Sequence, residues 1–217
     1  MRYVRRLPLG HNHDFALWKQ ESAKSSAGPP TFGDLADHWA DPTGAPARHP
    51  RTALVQSLIE SQGHLCAWTG LRIDINSAHI DHVCPQSADP TVDLHIDNLV
   101  AACPKGRADA IVGAHIRGNT WDPGMVRPNV ADCEDRLVYA ATGEVSARIA
   151  TDHGAILTIK SLKLDHSVLV EARSAAIQGF KARKSFVSDL ASLEARSKSN
   201  KPGKLDRFAP AILSALL

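Results

Sequence analysis

Apolar residues recur at helical spacing in two parts of this chain and gather in short runs between them. Within RTALVQSLIESQG, Leu54, Leu58 and Ile59 fall at helical spacing and Gly63 supplies a stop, so the pattern predicts a helix. From about residue 151 the pattern is helical again. LDHSVLVEARSAAIQGFKARKSFVSDLASLEAR carries Leu169, Ala176, Ile177, Phe180, Val187 and Leu190 as its apolar positions, with Asp165 as a candidate N-cap. Shorter signals lie between. HLCAWTG and SAHIDHV predict short strands, LVAAC is a brief apolar run, and ADAIVGAHIRG predicts a short helix within 108–118 despite Gly113. RLVYAATGEVSARI predicts two short strands joined at Thr142-Gly143. SSAGPP, DPTGAPARHP and SADPTVDLHIDN read as loops, and GHNHDFALWKQ has room for one or two helical turns. SKSNKPGK is a basic linker before the apolar FAPAILSALL.

These elements predict an α+β fold in three segments. An irregular N-terminal segment covers 1–50, a middle core covers 51–122, and a C-terminal hairpin and helical region with a basic tail covers 123–217. The length of 217 residues, 43% of them hydrophobic, is enough to bury a core within one domain.

Charge adds a second pattern. The net charge is only +2, but the first ten residues carry three Arg and no acid, and residues 171–207 carry nine Lys/Arg against four Asp/Glu. The remainder is acidic. Basic ends around an acidic middle suit a protein whose flanks touch phosphates while its centre holds a cation; ordinary variation along a soluble chain is the alternative. The four cysteines, at 66, 84, 103 and 133, form no dense framework. MRYVRRLPLG is basic but no apolar run follows it, and no run approaches a membrane span. A cytoplasmic protein with reduced thiols is the expectation.

The chemistry concentrates in HIDHVCPQS, residues 79–87. In a strand, side chains alternate, so His79 and Asp81 share one face and His82 takes the other. Pro85 must leave the ladder, and a bend there would let Asp81 and His82 bear on one point. Asp81 is a hard oxygen ligand suited to Mg²⁺ or Mn²⁺, and a neutral histidine suits a general base. A metal beside a base is what phosphodiester hydrolysis requires. Taken alone the pair is equally compatible with a polar strand end.

The order of residues around it narrows the choice. Cys66-Ala-Trp-Thr69, then HIDHVCPQS, then Asp97-Asn98-Leu99-Val100, Cys103 and Gly113-Ala114-His115 together resemble the HNH endonuclease family over residues 51–121. MRYVRR, Asp132-Cys133-Glu134, and TIKSLKLDH with Leu169 and Arg173 resemble the bacterial HNH subfamily found beside ATPases in antiphage systems of the Septu and retron type. The resemblance implies a ββα-metal core that hydrolyses phosphodiester bonds in DNA, with RNA as the alternative substrate and a silent nucleic-acid-binding or assembly module as the alternative function. It implies Asp81 as a metal ligand, His82 as the general base, Asn98 as a brace for the loop, His115 as the second ligand and His79 as support for the metal or the phosphate. One divalent ion, Mg²⁺ or Mn²⁺, is the implied cofactor; DNA and an ATPase protein are the implied partners, with no membrane. Asn98 and His115 lie seventeen residues apart, longer than in compact members, and Asn119 is the rival for the third letter.

One departure stands out. Cys66 and Cys103 each lack the second cysteine of a CxxC pair, with Thr69 and Gly106 in its place. Two cysteines cannot make a Cys₄ site, so no structural zinc is expected, and Cys66 and Cys103 are expected as small neighbours in the core. Trp68, Leu71, Ile73, Ile80, Leu99 and Val100 are the other core candidates. Lys105, Arg117, Arg183 and Lys184 are candidates for phosphate contact, each equally readable as a solvated charge.

Overall fold

A capping side chain or a leading proline opens several of the helices. A computed structural model describes residues 1, 3–4, 9–10, 12–24, 28–40, 46–104 and 110–217. Helix α1 (Asp14–Ser22) begins where the His13 side chain accepts a hydrogen bond from the Phe15 amide, and it turns Phe15 and Trp18 inward. Pro50 opens α2 (Pro50–Ser61), where its missing N–H costs nothing, and Leu54, Val55, Leu58 and Ile59 are buried, with α1 packed alongside. A short helix α3 (Ala114–Arg117) follows in the middle of the chain. Beyond it come α4 (His153–Ser161), α5 (Ser167–Lys181), α6 (Phe186–Ser197) and α7 (Ala209–Leu216).

The strands form two separate antiparallel pairs. β1 (His79–His82) pairs with β2 (Leu99–Ala102) in the register His79–Ala102, Ile80–Ala101, Asp81–Val100 and His82–Leu99. β3 (Leu137–Tyr139) pairs with β4 (Val145–Ala147) across the Thr142-Gly143 turn that the alternation predicts. All four residues of β2 are buried, as an uninterrupted apolar run requires. The buried Gln62 side chain completes β2 on its far edge: its amide accepts from Ala101 N and donates to the Ala101 and Leu65 carbonyls. Seven helices and two small sheets among the described residues make the fold a mixed helix–strand one, compatible with the α+β expectation.

The three sequence segments share one core. Trp18 and Leu35 from the first, Leu58, Trp68 and Leu99 from the second, and Leu137, Ile177, Phe180 and Ile212 from the third belong to the same buried cluster. Of the core candidates, Trp68, Ile73, Leu99 and Val100 are fully buried, and Leu71 and Ile80 pack at its edge. No helix among the described residues is long and apolar enough to cross a membrane.

Several local expectations change. The N-terminal segment holds α1 and a 3₁₀ turn at Phe32–Asp34. HLCAWTG is a tight turn closed by one bridge between Leu65 and Arg72, because Cys66 N pairs with Leu71 O and Gly70 N folds back to Cys66 O. The helix within 108–118 shrinks to four residues. Gly113 precedes it at φ 88°, where a Cβ would lie 3.0 Å from the Cys103 carbonyl, so no side chain is accommodated there. His166, not Asp165, caps α5 through its ring nitrogen. Val187 is 77% exposed because α6 turns Leu190 and Leu193 inward instead.

Two results are expected from this packing. Gly143 adopts φ 87°, and a Cβ there would sit 2.0 Å from the Val170 carbonyl of α5. Gly143→Ala is expected to destabilise by roughly 2–4 kcal/mol, combining backbone strain with a clash that only a shift of hairpin or helix relieves, and to lower the thermal midpoint by roughly 5–15 °C. Arg136 binds Asp152, the N-cap of α4, through Nε at 2.8 Å and a terminal nitrogen at 2.6 Å. This guanidinium, with the Ala155 amide, holds the Asp152 carboxyl down at about 2. Its stabilisation is present in full above the unperturbed carboxylate value of about 3.9 and is lost as pH falls through the folded value. The stability difference between wild type and Arg136→Met, followed by chemical denaturation, is therefore expected to hold steady above pH ~5 and to narrow below pH ~4.

Candidate functional site

The pleat of β1 sends its polar side chains to two sides. His79 and Asp81 share the face that α3 covers, and the His79 and His115 rings stack with centroids 4.2 Å apart and planes 15° from parallel. The anchor of α3 is Arg117. It is only 3% exposed, and it donates to the His82 carbonyl at 2.7 Å, the Val83 carbonyl at 3.1 Å and Asp81 Oδ2 at 3.2 Å. The same guanidinium lies over the Trp68 ring, 5.0 Å from its centroid. Trp68 donates its indole N–H to Asp81 Oδ2 at 2.7 Å. One carboxylate oxygen thus receives both donors, and Oδ1 stays outside both bonds.

His82 faces the other way. Its Nε2 lies 3.0 Å from the Asp93 carbonyl and 2.9 Å from Asp93 Oδ1. A carbonyl oxygen can only accept, so Nε2 carries the proton and the lone pair of the neutral ring sits on Nδ1. Phe32 presents its ring to His82 edge to face, with centroids 4.7 Å apart and planes at 79°.

Asn98 ties the loop after β1 to the start of β2. It is 6% exposed; Cys84 N donates to its Oδ1 at 2.7 Å, and its Nδ2 donates to the Cys84 carbonyl at 3.0 Å and the Val92 carbonyl at 3.2 Å. Pro85 follows at once and ends the ladder. Cys84 lies in this loop with its thiol pushed up by burial and by the charge of Asp89, which keeps it protonated and unsuited to nucleophilic attack.

The structure brings together most of what the spacing singles out, with some corrections. His79, Asp81 and His115 gather on the face of β1 that α3 covers, Asn98 clamps the loop past the strand at Cys84, and Asp81 and His82 diverge onto opposite faces. Asn119 is exposed and lies beyond the end of α3, which stops at Arg117, so it does not share a helical face with His115. Arg117 is not a surface cation: its guanidinium is turned into the protein and bonded there, so a phosphate contact is ruled out for this conformation. Arg183 binds Asp206 at 2.5 Å and lies over the Phe180 ring at 4.1 Å, tying α5 to the chain before α7. Lys184 is exposed. Lys105 falls outside the described residues. Cys66 and Cys103 are buried neighbours, and the hydrogen bond to Cys66 together with burial pushes the Cys103 thiol far up.

The donor atoms fit a hard cation in part. Among the described residues no hydrogen bond reaches Asp81 Oδ1, and His79 Nδ1 is buried without a hydrogen-bond partner. Burial and the neighbouring His115 hold the His79 ring below its ordinary value, against the opposing pull of Asp81 and the Pro104 carbonyl, so it stays in the neutral, ligating form. Among the described residues no three His, Cys, Asp or Glu side chains are arranged to grip one ion. Two further residues matter here that spacing does not single out, Asp93 and Trp68. Asp93 is one of several acids in a turn-rich stretch, and only the loop's path brings it to His82.

A histidine–serine pair elsewhere has no such chemistry. His13 Nε2 lies 2.8 Å from Ser57 Oγ in a cleft of about 440 Å³ beside α1 and α2. Phe15 N donates to His13 Nδ1, so the proton is on Nε2 and the ring donates to Ser57. It cannot take the serine proton. Comparison with models of known protein families and with curated proteins finds no match to this chain.

Arg117 is the strut of this arrangement. Arg117→Met is expected to cost about 3 kcal/mol in urea denaturation, because it strips donors from two carbonyls and a cation from Asp81. Arg117→Lys is expected to recover less than half of that loss, since an ammonium cannot span the three acceptors with a planar fork.

Proposed function

We propose that this chain is a metal-dependent endonuclease of the HNH type, hydrolysing phosphodiester bonds in DNA as an effector of antiphage defence. The observation that carries the reading is the succession of antiparallel β1 and β2 followed by α3, with Asp81 and His82 on the first strand, Asn98 at the head of the second and His115 on the helix. The resemblance in residue order supports the same roles. An ATPase that restrains or delivers the nuclease is the partner this reading implies.

Asp81 and His115 would hold a divalent cation, Mg²⁺ or Mn²⁺, with His79 in support, leaving further positions to water and substrate oxygens. Such an ion, when bound, supplies charge neutralisation at the scissile phosphate and the leaving oxygen. The chain's own residues do the rest. Trp68 and Arg117 fix the Asp81 carboxylate through Oδ2 and leave Oδ1 to ligate. The His82 ring, with its proton held on Nε2, accepts the proton of water at Nδ1. Asn98 clamps the loop behind it, so the strand end that carries both residues does not relax. Backbone phosphates would meet Lys184 and the lysines near the C-terminus as sequence-neutral contacts.

Purified protein with Mg²⁺ or Mn²⁺ is expected to nick supercoiled plasmid. His82→Ala is expected to slow that cleavage roughly 100- to 10,000-fold with an unchanged circular dichroism spectrum. Equal activity in the variant would remove His82 as the base, and cleavage of RNA but not DNA would redirect the substrate.

A further inference from the structure

The nuclease reading gives His82 a task but does not say what holds its ring in place. Asp93 does more than pass a carbonyl to it. This residue is 8% exposed, and its carboxylate receives three donors from three parts of the chain. Oδ1 faces His82 Nε2 at 2.9 Å and accepts from the Gln86 side chain, within the loop that follows β1. Oδ2 accepts the backbone N–H of Phe32 at 2.5 Å. The Phe32 ring then closes on the face of His82, and Arg51 lies over Phe32 at 5.4 Å while bonding the Leu35 carbonyl. The turn at Phe32–Asp34 is itself fixed by Thr31 and Asp34, whose side chain and backbone bond each other.

We infer that Asp93 is a positioning residue for His82, and that the N-terminal turn around Phe32 belongs to the device that aims the base. The carboxylate and the carbonyl of one residue both face Nε2, so the ring has one favoured tautomer and one favoured rotation. The Phe32 amide and Gln86 hold the carboxylate in turn. The consequence for cleavage rests on the nuclease reading above; the placement of the ring does not.

Two measurements test this on the full chain. Single-turnover cleavage of supercoiled plasmid with Mg²⁺ is compared for wild type, Asp93→Ala, His82→Ala and the double variant. Asp93→Ala is expected to slow cleavage about 10- to 100-fold at unchanged half-saturating DNA, and to add no more than about twofold once His82 is Ala, because it acts through that ring. An equal loss in both backgrounds, or a loss confined to half-saturation, overturns the assignment. Should Asp93→Ala fail to fold, the isosteric Asp93→Asn takes its place, with a smaller loss that again vanishes in the His82→Ala background. Nitrogen-15 NMR of the wild-type imidazole gives an answer independent of cleavage. The expected ring is the Nε2–H tautomer, whose proton exchanges with water faster after substitution of Asp93. An Nδ1–H ring, or exchange indifferent to Asp93, overturns the inference. A wild-type chain that cuts no nucleic acid would remove the nuclease reading and leave this spectroscopic result to decide the role of Asp93.

Discussion

The arrangement around β1 depends on one buried cation. Arg117 is almost wholly withdrawn from water, which is unfavourable unless its donors and its charge are matched. Asp81 supplies the opposite charge, the His82 and Val83 carbonyls take two further donors, and the Trp68 face covers the guanidinium. These partners come from the end of β1 and from the tight turn before it, while the arginine comes from α3. A four-residue helix has too few internal hydrogen bonds to persist alone, so α3 exists because Arg117 and the buried Ala114 hold it against the strands. That docking in turn sets His115 against His79.

The pleat of β1 does the dividing. Asp81 and His82 are adjacent in sequence and therefore project to opposite faces. One face meets α3 and the indole of Trp68; the other meets the 87–98 loop and the N-terminal turn. Asn98 joins the two sides, since it clamps Cys84 just past the strand and stands at the head of β2. The chemistry proposed for this chain is thus tied to a strand terminus, with the ligand side held by an arginine and the base side by an aspartate.

The periphery supports this centre through the same core. The β3–β4 hairpin lies against α5 at Gly143, α7 packs on β3, and its first half, Ala209–Ile212, is buried with them. Basic residues that resemble a phosphate-binding tail are partly engaged within the chain, Arg183 and Arg196 in surface ion pairs and Arg173 in the core. Arg183 and Arg196 converge on Asp206, and Arg173 stacks on Tyr139 while bonding the Leu164 carbonyl. Charge counted along the chain therefore overstates the charge a phosphate backbone would meet.

Periodicity and local chemistry determined a good deal. The helix at 50–61, the hairpin at 137–147, the helical C-terminal third and the order Asp81, His82, Asn98, His115 were all legible, because apolar spacing and turn residues are properties of neighbouring positions. What only the tertiary structure decided depends on partners far away in sequence. A lone arginine reads the same whether it faces solvent or the core, and Arg117 points inward because Trp68 and two strand-end carbonyls are there to receive it. Asp89, Asp93 and Asp97 are indistinguishable in an acidic, turn-rich stretch, and only the path of that loop brings Asp93 to His82 and to the Phe32 amide 61 residues away. The reach of a helix past Arg117 and the divergence of Asp81 from His82 were decided in the same way: by packing against a third element, which no pattern along the chain records.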